Sequence, residues 1–248
     1  MKGVKGVVLA GGLGTRLAPL TKVTNKHLLP VGRKPMIYYP IEKLASAGIS
    51  DIMVVTGGPF AGDFLRLLGN GRAFGLKDLH YTYQEGEGGI ADALSLAEHF
   101  AAGDPILVML GDNILQHPIR SAVEEFRRRP AGAQIFLSRV EHPEWYGVVE
   151  LDGDRVVRII EKPREPKSNL VAIGVYMYDN SVFEFIRRIE PSARGELEIT
   201  DVNNMYIQRG QMRYQIIKGW WADAGESFEV YLKANLLAAS LQGVKTGQ

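Results

Sequence analysis

The amino-acid sequence predicts an α/β fold: a doubly wound, mostly parallel sheet with a mixed second layer closing over the active site. Three observations carry this. Through the first half of the chain, short continuous apolar runs alternate with segments whose apolar residues recur at helical spacing. The first of these runs stops abruptly in glycines, at Gly11-Gly12. Beyond about residue 115 the pattern changes to strands linked by tight turns, with helices less regularly between them.

Residues 6–10 (Gly-Val-Val-Leu-Ala) read as a strand buried on both faces. Residues 36–47 carry Met36, Ile37, Tyr39, Pro40, Leu44 and Ala47 at helical spacing and are closed by Gly48. Asp51 to Val55 is a second buried strand, followed by a helix around 60–68 and a strand at 79–83. A helix over 89–101 leads to another buried strand, Ile106 to Leu110. In the second half, strands are expected at 134–140, 146–151, 155–160, 171–178 and 212–218, and helices at 118–128, 181–189, 199–209 and 227–241. Asp152-Gly153 supplies a tight turn. No repeat, low-complexity tract or linker divides residues 1–248, which read as a single domain.

Composition removes several function classes. The net charge of +1 gives no bulk electrostatic case for nucleic acid or a membrane surface, so any anion site must be local. The absence of cysteine excludes disulfides, thiolate catalysis and cysteine-ligated zinc. The five histidines form no His-x-x-x-His array and read as surface or packing residues. No window reaches 18 apolar residues and the N-terminal apolar run is too short for a signal segment, so a soluble, cytoplasmic chain is expected.

The most informative stretch is the loop after the first strand, Gly11-Gly12-Leu13-Gly14-Thr15-Arg16-Leu17. Glycines allow close approach of backbone to ligand, and successive N–H groups can then face phosphate oxygens. A dinucleotide-binding loop would need glycine where Leu17 stands, and no Gly-Lys-Ser/Thr follows at P-loop spacing, so neither an NAD site nor a P-loop kinase fits. Arg16 adds a planar fork of donors for phosphate, and Lys26, in Asn25-Lys26-His27-Leu28-Leu29-Pro30-Val31, brings a second positive charge. Asp112, in Gly111-Asp112-Asn113, stands at a strand's carboxyl end, where ligands of open α/β sheets bind.

These residues resemble the sugar-nucleotide pyrophosphorylase family, whose mark is Gly-Gly-x-Gly-Thr-Arg-Leu followed by Lys-x-Leu-Leu-Pro. Within it the likeness is nearest to glucose-1-phosphate thymidylyltransferases, through Lys34 to Pro40, Tyr146-Gly147-Val148-Val149-Glu150, Glu161-Lys162-Pro163 and Gly195 to Asn203. The resemblance implies a Rossmann-like fold whose first half, to about residue 115, holds a nucleoside triphosphate and whose second half, 116–248, holds a sugar 1-phosphate. It implies nucleotide contacts from Leu9, Gly11, Gly12, Gly14, Thr15, Arg16, Gln84, Gly89 and Asp112, with Gln84 reading the pyrimidine edge and Gly89 leaving room for base and ribose. It implies sugar-phosphate contacts from Tyr146, Gly147, Glu161, Lys162 and Ala172, and Mg²⁺ on Asp112 and Asp223. Arg16, Lys26 and Lys162 would carry the catalytic charge. The implied reaction is transfer of a nucleotidyl group from dTTP to glucose 1-phosphate, with release of pyrophosphate. UTP or another sugar 1-phosphate is the alternative, and a silent nucleotide-sugar-binding regulator a further one. Glu196 and Glu198 read as helix-start charges, Arg127 to Arg129 as a solvated helix end, and Trp220 and Trp221 as packing that steers Asp223.

Two departures from the thymidylyltransferase pattern concern specificity. Ala222-Asp223-Ala224-Gly225-Glu226 stands where Leu-Asp-Thr-Gly-Thr is typical, and Ile173 precedes Gly174 where threonine is usual. Longer members carry a further C-terminal segment, so weak end-product regulation and a smaller homo-oligomer are expected of this chain.

Overall fold

The computed structural model describes residues 3–241; the limits 1 and 248 of the expected domain lie outside them. Strand β1 (Lys5–Ala10) shows why a continuous apolar run is needed. Val7 and Leu9 enter one apolar layer, while Val8 and Ala10 enter the other. The chain continues through the small hairpin β2 (Pro30–Val31) and β3 (Lys34–Pro35), then α1 (Tyr38–Ser46), β4 (Asp51–Gly57), α2 (Ala61–Leu68) and β5 (Asp78–Gln84). Helices α3 (Ile90–Ser95) and α4 (Glu98–Ala101) lead to β6 (Ile106–Leu110) and β7 (Asn113–Leu115). Then follow α5 (Arg120–Arg128), β8 (Ala133–Arg139), β9 (Gly147–Asp152), β10 (Arg155–Glu161), β11 (Leu170–Tyr178), α6 (Ser181–Ile186), α7 (Ile199–Gln208), β12 (Met212–Ile216), β13 (Trp221–Asp223) and α8 (Phe228–Leu241).

Strands β5, β4, β1 and β6 are parallel neighbours in that order. The chain therefore winds outward from β1 on one side and returns on its other side at β6. The loops after β1 and β6 diverge from this switch point, and the crevice between them is where such sheets bind ligands. Strand β11 then runs antiparallel to β6 through Val175–Tyr178. Its earlier residues Val171 and Ala172 pair instead with Val148 and Gly147 of β9, which forms an antiparallel hairpin with β10. One strand thus carries the sheet from the parallel core into a hairpin that faces the switch point. β8 follows the other edge of β11, with a register shift between Ala172 and Tyr176, and β12 pairs parallel with β8.

Helices α3, α6 and α7 cover one face through Ala91, Leu94, Phe183, Phe185, Val202 and Tyr206. Helices α1, α2 and α5 cover the other through Ile41, Leu44, Phe64, Val123 and Phe126. A third cluster, including Leu17, Val31, Met36, Ile114, Ala222, Tyr231 and Ala234, seats α8 against the ribbons β2–β3 and β7–β13.

The expected mixed α/β architecture is present, with four local corrections. The helix expected over 89–101 is two helices: the Ser95 hydroxyl donates to the Asp92 carbonyl at 2.7 Å, and the Ala97 N–H turns to Leu94 in a tighter pattern. The β9–β10 turn is centred on Gly153-Asp154, because Asp152 pairs with Arg155; Gly153, at φ +56, supplies the positive dihedral one position later than expected. The strand expected at 212–218 ends at Ile216, and the helix expected at 181–189 ends at Ile186.

Candidate active site

The loop after β1 is shaped by what packs beneath it. Gly14 sits at φ +72, and a Cβ there would stand 2.7 Å from the Lys26 Cβ, so glycine alone lets the loop fold onto the Lys26 stem. Arg16 and Thr15 lie on a single helical turn, Thr15–Leu17, anchored by the buried Leu17. Lys26 starts the next turn, which Asn25 caps by accepting from the His27 N–H at 2.9 Å. His27 is buried against this motif, its Nδ1 2.8 Å from Asn25 Oδ1. Burial, with Lys26 beside it, pushes the imidazole down to about 3, so it stays neutral and serves packing, as expected of the histidines.

Lys26 reaches across the switch point. Its Nζ lies 2.5 Å from Asp112 Oδ2, and Asn113 Nδ2 donates to the other Asp112 oxygen at 3.1 Å. The ribbon β7–β13 sets Asp223 opposite Asn113. Asn113 Oδ1 in turn accepts from Trp221 Nε1 at 2.8 Å and from the Gly174 N–H at 2.9 Å. One asparagine therefore ties β7, β11 and β13 together beside the two aspartates. Burial penalises both carboxylates, but Lys26 overcomes this at Asp112 and holds it below the usual carboxylate range. At Asp223 burial and repulsion from Asp112 outweigh Lys26, and its carboxyl is pushed well up. The Lys26 ammonium, whose burial would lower it, is held charged by Asp112 and Asp223.

The hairpin side faces this cluster. Gly147 ends the β9–β10 pairing opposite Glu161, and Ala172 lies beside Gly147 in register. Lys162 follows with φ +42, a left-handed conformation that a non-glycine residue adopts at a cost, fixed by its N–H donating to the Tyr146 carbonyl at 3.1 Å. Burial raises the Glu161 carboxyl, and Thr200 Oγ1 donates to its Oε2 at 2.5 Å. Tyr146 packs edge-on against Trp221 with centroids 5.3 Å apart. At the opposite end Gln84 closes β5, its Nε2 donating to Asp92 Oδ2 at 2.7 Å and to the Gly89 carbonyl at 3.3 Å.

All of this opens on one cavity of about 390 Å³. It is lined by Leu9, Gly11, Gly12, Thr15, Arg16, Lys26, Gln84, Gly89 and Asp112 from the first half of the chain, and by Tyr146, Gly147, Glu161, Lys162, Ala172 and Asp223 from the second. Of the sequence-derived site residues, Gly14 alone lies behind the wall, supporting the loop. Gly89 lines the cavity, and a second constraint acts on it: a Cβ there would stand 2.7 Å from the Leu197 carbonyl, and its φ is +97.

The nucleotidyl transferase family profile matches residues 5–240. The chain belongs to this family. It is 44% identical over 226 residues to a glucose-1-phosphate thymidylyltransferase of Neisseria meningitidis, covering 90% of this chain and 78% of that one. It is 42% identical over 249 residues to one of Actinoplanes, covering 98% and 82%. The crystal structure of a Bacillus anthracis protein in complex with sucrose superposes with a TM-score of 0.91 at 48% identity over 99% of this chain and 98% of that one.

The cleft of this nucleotidyltransferase also contains residues that the sequence did not single out as site residues. Trp221, expected only to pack, lines the cavity while donating to Asn113. Glu198 does begin α7, but its carboxylate accepts from Ser192 at 2.7 Å and takes both oxygens to Arg194 Nη2 at 2.9 Å, and Arg194, Glu196, Thr200 and Asn203 all face the cleft. Glu226, at the departure from the family pattern, makes an ion pair with Arg16. Glu87 likewise accepts from the Leu13 N–H of the loop at 3.3 Å. Carboxylates thus occupy donors that a polyphosphate would use. Glu226→Thr removes the competitor for Arg16, and the KM for nucleotide is expected to fall about fivefold, the equivalent of ~1 kcal/mol for a partly exposed ion pair. Steady-state kinetics check this; a higher KM would show instead that Glu226 helps to hold the nucleotide.

Proposed function

We propose that the protein transfers a thymidylyl group from dTTP to glucose 1-phosphate, giving dTDP-glucose and pyrophosphate by a single in-line displacement that depends on Mg²⁺. The observation that carries this is the arrangement of charge along one cavity. Arg16 and the glycine loop, Lys26 with Asp112 and Asp223, and Lys162 with Glu161 all line it. The thymidylyltransferase relatives, 42–44% identical over 90–98% of the chain, support the choice of substrates.

The two aspartates fit a divalent cation. A buried carboxylate, Asp112, and a half-buried one, Asp223, converge; desolvation first and then the charge of Asp112 raise Asp223, and a cation would relieve the repulsion between them. Among the described residues no group of three or more histidine, aspartate or glutamate side chains forms a metal cage. A site with two carboxylates suits Mg²⁺, which takes few protein oxygens and completes its shell with phosphates and water. When bound, the ion supplies positive charge to the phosphate oxygens.

The attacking oxygen of a sugar phosphate is already anionic, so no general base is required. Lys162 holds the attacking phosphate in line, and its strained backbone fixes the direction from which its ammonium enters. Arg16 leaves Glu226 and neutralises the departing pyrophosphate. Lys26, already charged, adds positive potential beside Asp112. Glu161 accepts from sugar hydroxyls and, being half-buried, disfavours a substrate that leaves it unpaired. The work is alignment and charge neutralisation in a partly dry cleft. Lys162→Ala is expected to lower kcat/KM for the sugar phosphate by about 10², with the KM for nucleotide little changed; steady-state kinetics with each substrate varied in turn decide this.

The reading as a whole is tested by pyrophosphate release across five nucleoside triphosphates and a set of sugar 1-phosphates, with and without Mg²⁺. The dTTP and glucose 1-phosphate pair is expected to be fastest, and Mg²⁺ to be required. A faster rate with UTP or another sugar would replace the substrates proposed; no release with any pair would remove the activity.

A further inference from the structure

We propose that Asp92 sets the base specificity of the cleft by fixing which hydrogen-bonding face Gln84 turns to the nucleobase. This rests on the reading above, in which the base lies against Gln84. The glutamine is 6% exposed and sits where β5 ends, next to the phosphate loop. A primary amide has two N–H donors and one carbonyl acceptor, and as a free group it could present either to a ligand. Here both donors are engaged within the protein. One is taken by the Asp92 carboxylate at 2.7 Å, the other by the Gly89 carbonyl at 3.3 Å. The opposite amide orientation would set Oε1 against two acceptors and forfeit both bonds. Asp92 is itself held in place: it stands in the first turn of α3, and its Oδ2 lies where a Cβ on Gly88 would be 2.5 Å away. The carbonyl oxygen occupies space that Gly11 leaves open, since a Cβ there would stand 2.5 Å from Oε1.

Gln84 can therefore offer a base only an acceptor. A pyrimidine set against it must bring a ring N–H. Thymine and uracil carry one at N3. Cytosine carries a lone pair at the same atom, so acceptor would face acceptor, and its 4-amino donor reaches Oε1 only if the ring shifts from the position thymine takes. The glutamine alone would tolerate either by turning its amide; Asp92, with Gly89 behind it, removes that freedom. Asp92 thus acts through Gln84 as a positioning residue and excludes cytosine without touching the nucleotide.

The test compares kcat/KM for dTTP and CTP, backed by calorimetric binding of each nucleotide without sugar phosphate. In the unaltered protein dTTP is expected to be favoured over CTP by about 10². Asp92→Ala frees the amide and is expected to raise the CTP-to-dTTP ratio at least about tenfold. Asp92→Asn keeps an acceptor oxygen for Gln84 Nε2 and is expected to retain the original ratio, a rescue that a purely structural role would not produce. An Asp92→Ala protein with the original ratio, or one losing both nucleotides equally, would overturn the proposal. Gln84→Ala separates the two levels. If it leaves base preference unmoved, the base does not lie at Gln84, and the placement of the nucleotide fails together with this proposal. If Gln84→Ala moves the ratio and Asp92→Ala does not, only the role of Asp92 fails.

Discussion

Asp112→Asn is expected to lose turnover by about 10³ or more while the protein still folds. The loss corresponds to several kcal/mol of charge stabilisation at the phosphates. Asp112 is the partner of the Lys26 ammonium, and orphaning a buried charge typically costs about 3–5 kcal/mol. Here a substitute counterion is close by. Asp223 is held protonated by burial and by the charge of Asp112. Once Asp112 is neutral, Asp223 can ionise and compensate Lys26. The expected stability loss is therefore about 1–3 kcal/mol, below the value for an orphaned charge. Turnover assays and chemical denaturation measure the two effects; an unfolded variant would show that Lys26 depends on Asp112 alone. Asp112 also has a pH signature. Its folded pKa lies below the unfolded one, so its contribution is present above about pH 4 and is lost as pH falls through the folded value. The variant should therefore lack part of the acid lability of the parent.

Asp223→Asn is expected to lose turnover on a similar scale yet gain stability in metal-free buffer. The Asp223 carboxyl is raised from 3.8 to about 8, mainly by burial and then by Asp112. A group that binds its proton more tightly folded than unfolded makes stability fall as pH rises between the two pKa values. From about pH 4 to pH 8 the parent should therefore lose stability that the asparagine variant keeps. The difference should grow through that window and level off above it, reaching on the order of 2 kcal/mol, or roughly 4–8 °C in Tm for a chain of this length. Added Mg²⁺ should narrow the gap by stabilising only the parent. Thermal melts at several pH values, with chelator and with Mg²⁺, provide the check. A variant less stable than the parent near pH 8 in chelator would contradict the buried, repelled carboxyl on which the cation site depends.

How far the sequence reaches can be judged from these residues. The parallel core was legible because Val7, Val8, Leu9 and Ala10 are apolar without interruption, and only two-sided burial explains that. The phosphate loop, Lys26 and Asp112 were legible because they end or follow such strands, and the switch point brings strand ends together. The ribbon β7–β13 was not legible: three residues on each side, about a hundred residues apart, give no periodicity, yet it sets Asp223 beside Asp112. The place of Trp221 on the cleft wall was hidden for the same reason, since its partner Asn113 belongs to the other ribbon strand. The Arg16–Glu226 pair spans 210 residues, and its only trace in the sequence was a glutamate where threonine is usual. The constraint on Gly89 from the Leu197 backbone was not legible, because it comes from the other half of the chain.

In the reaction proposed, one cleft brings a sugar phosphate directly against the nucleotide α-phosphorus, with no covalent intermediate on the protein. The configuration of that phosphorus tests it most directly. With a single diastereomer of α-thio-dTTP and glucose 1-phosphate, the nucleotide sugar formed should carry inverted configuration at the α-phosphorus. Retention would require two successive displacements through a nucleotidylated side chain, and would contradict the account.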